Sequence, residues 1–112
     1  MEQITWGDFE KVELRIGTII KVEDFPEAKK PAYKFWIDFG PEIGTKKSSG
    51  QYTKLYRKEE LLGKQVLCCI NFPPKQVANF TSECLTCGFV EENGEIVLAM
   101  PERKVKNGAK LA

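Results

Sequence analysis

Cysteine is the residue type in this chain with the widest chemistry. The four thiols fall as an adjacent pair, Cys68-Cys69, and as Cys84-x-x-Cys87. A structural zinc site wants two Cys-x-x-Cys knuckles on turns. Neighbours on a strand point to opposite faces and residues three apart diverge as well, so neither pair converges on a metal. The first residues, Met1 to Trp6, carry no basic region and no apolar core, so no signal peptide is read there and the expected compartment is the cytoplasm. Disulfides are not expected in that compartment, which leaves buried, reduced thiols. The chain has no histidine, which removes the usual base of a triad and the commonest metal ligand. No phosphate-binding glycine loop or dinucleotide fingerprint is present. The expectation is a binding protein, with no catalytic residue, no metal and no cofactor.

Lysine offers the other chemistry. Between Ile43 and Ser82 seven Lys or Arg face only two acids, Glu59 and Glu60, although the whole chain is nearly neutral at +1. A basic middle in a neutral chain presents a local field to an anion without general stickiness. Lys34, Lys46, Lys47 and Lys75 are the candidates for phosphate. Ser48, Ser49, Asn71 and Ser82 can hydrogen-bond a phosphate, a 2′-hydroxyl or a base edge. Tyr52 or Phe80 could stack on an unpaired base. Each has a plainer alternative: the lysines as a solvated surface, Tyr52 as a helix cap, Phe80 as core, Asn71 as the satisfier of a strand end.

The elements that must position these residues read as short strands. Ile4 to Val12 is a helical or irregular lead-in, with Asp8 as its N-cap. From Glu13 a period-two pattern sets Leu14, Ile16, Thr18, Ile20 and Val22 against Arg15, Gly17, Ile19, Lys21 and Glu23, with Gly17 marking a bend or bulge. A charged loop spans Asp24 to Pro31. Tyr33, Phe35, Ile37 and Phe39 then alternate with Lys34, Trp36 and Asp38, and a third strand covers Ile43 to Ser49. Tyr52 to Leu62 reads as a helix with Leu55, Leu61 and Leu62 buried and Gly63 as its stop. The apolar run from Gln65 is a strand ended by Pro73-Pro74, followed by a polar loop carrying Lys75 and a strand from Glu83 to Val90. Asn93-Gly94 predicts a hairpin onto Ile96 to Met100.

Three strands, a helix and further curved strands form one domain over residues 1–112, its barrel at about 13–100. The fold class is all-β with a short helix, a five-stranded OB-fold whose ligand face is made by the second and third strands and the flanking loops. The competitor, a β-sandwich, leaves the helix unexplained. Ile4, Trp6 and Phe9 before the barrel, Val105 and Leu111 after it, and Ile19 and Trp36 on its strands are apolar residues without a place in that core. They predict a homodimer interface, against the alternative that the tails fold back over the barrel end. No run is apolar enough to insert in a membrane.

The order Leu14-Arg15-Ile16-Gly17-Thr18-Ile19, Asp38-Phe39-Gly40, Asn71-Phe72-Pro73-Pro74-Lys75 and Ser82-Glu83-Cys84-Leu85 resembles the tRNA-binding domain family. That domain is also appended to methionyl-tRNA synthetases and occurs as the EMAP-II-like cytokine domain. Phe25-Pro26-Glu27-Ala28, Pro31-Ala32-Tyr33-Lys34, Lys47-Ser48-Ser49 and Gln51-Tyr52-Thr53 fit its stand-alone, CsaA-type branch. The resemblance implies an OB-fold homodimer that binds tRNA by shape. It also implies an alternative, an export-related chaperone taking unfolded or preprotein peptides, with the export machinery as partner. The groove for such peptides would be lined by Tyr33, Trp36 and Phe80. Two departures stand out. Asn79 occupies a loop position where many members have glycine, and Asn tolerates a left-handed backbone. Leu85 lies where many have methionine.

Overall fold

The alternation that begins at Leu14 forms β1 (Leu14–Asp24) in a computed structural model that describes residues 1–112. Its first half pairs antiparallel with β4 (Gln65–Cys69) and its second half with β2 (Tyr33–Asp38), which in turn pairs with β3 (Thr45–Gly50). With β7 (Leu85–Thr86) beside β4, the sheet runs β3-β2-β1-β4-β7. Its two edges then meet. The Glu83 amide donates to the Lys47 carbonyl at 2.7 Å, and the Lys47 amide donates to the Glu83 carboxylate at 2.9 Å. The result is the expected OB-like barrel of five strands, nearly closed.

β1 departs from strict alternation. Its register on β2 slips between Ile19 and Lys21, so Ile20 sits on a bulge and is half exposed. Ile19 therefore faces inward and is 0% exposed, which removes it from any surface interface. It joins Phe35, Ile37, Phe39, Leu61 and Val66 in the core. Gly17 lies on the same inward row, and it is glycine for want of room. A Cβ there would come 2.5 Å from Ile37 Cγ2 and 2.8 Å from the Phe39 ring. The sharp curl of the strand brings those side chains against the bare backbone.

Both helices are short. α1 (Trp6–Glu10) is capped by Thr5 rather than Asp8. The Asp8 amide donates to Thr5 Oγ1 at 3.1 Å and the Thr5 amide to Asp8 Oδ2 at 3.0 Å, a reciprocal box. α2 covers only Lys58–Leu61, and of the three leucines expected inside, only Leu61 is buried. Gly63 ends it with a left-handed φ of 88°.

The polar loop after the prolines is a hairpin, β5 (Lys75–Val77) and β6 (Phe80–Ser82), and the last long strand is split into β7 and β8 (Gly88–Val90). The left-handed residue of the hairpin turn is Ala78, φ 51°, and not Asn79. The Asn93-Gly94 turn joins β8 to β9 (Ile96–Leu98) as its sequence requires, with Gly94 at φ 85°.

The C-terminal segment folds back on β1. Ile16 donates to the Ala109 carbonyl, Gly108 to that of Ile16 and Leu111 to that of Leu14. Asn107 accepts from Thr18 and Gln65, and Gln65 brackets the Val105 backbone from both sides. No helix is long and apolar enough to cross a membrane.

Candidate nucleic-acid interface

β2 is written with its core side chains on one face and Lys34, Trp36 and Asp38 on the other. Register carries the division to β3. Lys34 faces Ser49, Trp36 faces Lys47 and Asp38 faces Thr45 on the outside, whereas Phe35 faces Ser48 and Ile37 faces Lys46 on the inside. The paired-strand face therefore collects Lys34, Lys47 and Ser49. Lys46 points the other way, and Ser48 is fully buried.

Ser48 is buried because its hydroxyl has work in the barrel. It donates to the Cys84 carbonyl at 2.9 Å and accepts from Thr86 Oγ1 at 2.9 Å. That places a polar residue in the seam between β3 and β7, where the sheet edges meet. Tyr52 is likewise a core residue. Its ring packs 5.8 Å from that of Phe35 and its hydroxyl donates to the Thr86 carbonyl at 2.9 Å. Burial pushes its phenol well above the ordinary tyrosine value. Both hydroxyls are thus engaged inside the barrel, where the sequence placed them on the ligand face, although the edge of Tyr52 still reaches the wall of a surface groove.

Phe80 takes the alternative of a packed residue. It is only 7% exposed, wedged edge-on between Phe25 at 5.5 Å and Trp36 at 5.7 Å. It pins the β5–β6 hairpin onto the outer face of β2. Lys34 Nζ lies 5.7 Å and Lys47 Nζ 5.2 Å from its ring centroid, and Lys21 Nζ stands 4.5 Å over Trp36. The result is an aromatic floor with ammonium groups held above it, each contact contributing roughly 0.5–2 kcal/mol according to how far it is desolvated. Lys34 is also ion-paired with Glu23 at 3.7 Å and mostly covered, so it serves the floor more than a ligand. Lys47 and Lys75 have no acidic partner.

Asn71 lies just past β4 and is spent on structure. Its Nδ2 donates to the Lys11 carbonyl at 2.6 Å and its Oδ1 accepts from the Glu13 amide at 3.0 Å, tying the end of α1 to the barrel. Ser82 donates to the Cys84 carbonyl at 3.2 Å, which leaves its oxygen free to accept. Ser49, Ser82 and Lys75 line one pocket of about 320 Å³ together with Phe72 and Leu85. A wider groove of about 870 Å³ runs on from it, between the Phe25–Ala32 loop and the hairpin, and adds Lys29 and Lys30. Of the residues expected to bind, the structure thus brings Lys47, Ser49, Lys75 and Ser82 to one continuous surface. Sequence reasoning passed over Phe72, Lys29 and Lys30, although the exposed aromatic in a proline-bounded loop was a signal.

Cys68, Cys69 and Cys84 are buried and all four cysteines are free. The Cys68 thiol beside it favours the Cys84 thiolate and lowers its pKa, while Cys68 itself is raised by holding that proton and by burial.

Residues 14–110 match the family model described as "Putative tRNA binding domain". The crystal structure of chaperone CsaA from Bacillus anthracis str. Ames superposes with a TM-score of 0.93 at 46% identity, covering 99% of this chain and 100% of that one. The CsaA chaperone protein from Picrophilus torridus gives 0.92 at 47% identity, covering 98% of this chain and 100% of that one. A methionine–tRNA ligase from Pyrococcus horikoshii is 36% identical over 111 residues, which are 99% of this chain but 15% of that protein. The chain thus spans only a small part of the length of those curated relatives.

Proposed function

We propose, since the chain belongs to the tRNA-binding domain family, that it is a non-catalytic RNA-binding module whose ligand is tRNA. It reads the ligand by shape, through the outer face of β2 and β3 and the β5–β6 hairpin. The observation that carries this reading is the convergence of unpaired Lys47 and Lys75 with Ser49 and Ser82 beside an aromatic floor. Ammonium groups without acidic partners are available to phosphates, and hydroxyls suit a backbone rich in 2′-hydroxyls. The test is binding of purified protein to bulk tRNA across a salt titration. Affinity that falls steeply with salt supports the reading, and affinity that does not change with salt refutes it.

The module acts as a homodimer. α1 buries none of its residues against the barrel, and Trp6 and Phe9 stack on each other at 5.4 Å with Trp6 65% exposed. A second copy supplies cover for that patch and for Ile4 and Leu111, while Ile19 and the floor residue Trp36 take no part. Two basic faces on one particle raise the affinity for one folded RNA through effective concentration. Sedimentation of wild type and Trp6→Ala tests this: a dimer that becomes monomeric supports it, and a wild-type monomer refutes it. The second reading, an extended peptide, loses the lining of Tyr33, Trp36 and Phe80, of which Tyr33 and Phe80 are buried; it falls instead to the groove of about 870 Å³, which none of them lines, and draws support from the structural relatives named as chaperones. It predicts peptide binding that salt barely weakens.

A further inference from the structure

The two aromatics first suited to stacking are both inside the fold, which directs attention to the aromatic that is not. Phe72 is 55% exposed at the mouth of the pocket of about 320 Å³, on the connection between the fourth and fifth barrel strands. Such connections are where OB-folds take oligonucleotides. Pro73 and Pro74 fix the backbone after it, so the ring is presented from a stiff segment. Leu85, 49% exposed, and Val77 add to its apolar lining. The polar complement is small. The Ser49 hydroxyl has no partner within the protein, Ser82 retains an accepting oxygen, and Lys75 has no acid to neutralise it.

We infer that this pocket holds a single unstacked nucleobase of the bound RNA, clasped between Phe72 and Leu85, with Ser49 and Ser82 at its edge and Lys75 on the adjoining phosphate. The inference rests on the RNA reading above and assigns that surface its one base-contacting site. A cavity near the lower end of the range for small-ligand sites, about 300–1,000 Å³, suits one ring system. The apolar part of the lining disfavours phosphate, and Lys75 is the cation available to the backbone attached to an inserted base. Since every base has a π-face, the pocket tolerates sequence while demanding an unpaired nucleotide. The bound RNA must therefore offer an extruded or loop base, and a perfect duplex cannot fill the site.

The test compares wild type with Phe72→Ala, Phe72→Tyr and Lys47→Gln against tRNA, a perfect RNA duplex and an extended apolar peptide at fixed salt. Phe72 is exposed, so its truncation leaves the core intact, and the far-UV spectrum and melting temperature of each variant check this. Phe72→Ala is expected to weaken tRNA binding roughly 5- to 150-fold, to leave duplex binding unchanged, and to be rescued in Phe72→Tyr. Unchanged tRNA affinity in Phe72→Ala, with Lys47→Gln still weakened, overturns the base pocket and leaves the RNA face standing. Loss confined to the peptide assigns the pocket to an apolar side chain and overturns the inference. Absence of tRNA binding by wild type overturns both.

Discussion

Replacing Lys47 and Lys75 by glutamine, singly and together, separates their part in ligand binding from their part in the fold. Neither has an acidic partner, so each is available to a phosphate. In counterion-release terms each phosphate contact contributes about 0.7–0.9 to the slope of log affinity against log salt. Raising salt fourfold then removes a factor of roughly 2.6–3.5 in affinity per contact, and the double variant is spared roughly 7- to 12-fold of the wild-type loss. Filter binding or fluorescence anisotropy with labelled tRNA between about 50 and 200 mM salt spans the needed range. Folding should barely respond. Lys75→Gln touches nothing, and Lys47→Gln forfeits a cation–π contact with Phe80 worth about 0.5–1 kcal/mol. Lys34→Gln is the internal contrast. Lys34 lies over both Phe25 and Phe80 and is paired with Glu23, so its loss should lower the melting temperature and leave the salt slope alone. Parallel slopes for wild type and the double variant would refute the assignment of this surface to phosphates.

Ser48→Ala should cost about 1–3 kcal/mol of stability by denaturant titration, because two buried partners lose their hydrogen bond, while the folded protein keeps its RNA affinity. Gly17→Ala forces a methyl into Ile37 and Phe39 and should lose about 1–3 kcal/mol by overpacking, read as a fall in melting temperature. Acid should loosen the C-terminal segment. The hydrogen bond from Arg15, helped by Lys110, holds the Glu13 carboxyl below its ordinary range. A lowered folded-state value means stability present above the unfolded value and lost as pH falls through the folded one. Amide exchange of Ile16 and Leu111, corrected for intrinsic rates, should therefore speed up below about pH 4, and Glu13→Gln should abolish that dependence.

Much of the barrel was legible because period-two alternation and turn chemistry are local. β2 and the Asn93-Gly94 hairpin lie where those signals put them. What escaped was non-local. The extra residue at Ile20 reverses the phase of β1, and nothing within the strand announces it, so Ile19 read as outward. Ser48 reads as surface because it is polar, yet its partners lie 36 and 38 residues away on the closing strand. Tyr52 was counted into a helix that begins only at Lys58, since its ring turns into the core and its hydroxyl reaches Thr86. The β5–β6 hairpin, three residues a side, is too short to show a period. It is held by Phe80 inserting between two distant rings. Thr5-x-x-Asp8 did carry its own signal, a capping box with the acid at its third position, read one role out of place.

The C-terminal segment also has a protective role. β1 gives one side of its first residues to β4, and Gly108 to Leu111 occupy the other. Without that strap, the amide of Ile16 and the carbonyls of Leu14 and Ile16 would form an open ladder on an apolar strand. An unpaired edge of that kind recruits strands from other chains. A form shortened after Met100 should therefore keep most of its core and yet precipitate on concentration, because its edge would pair with the wrong neighbour.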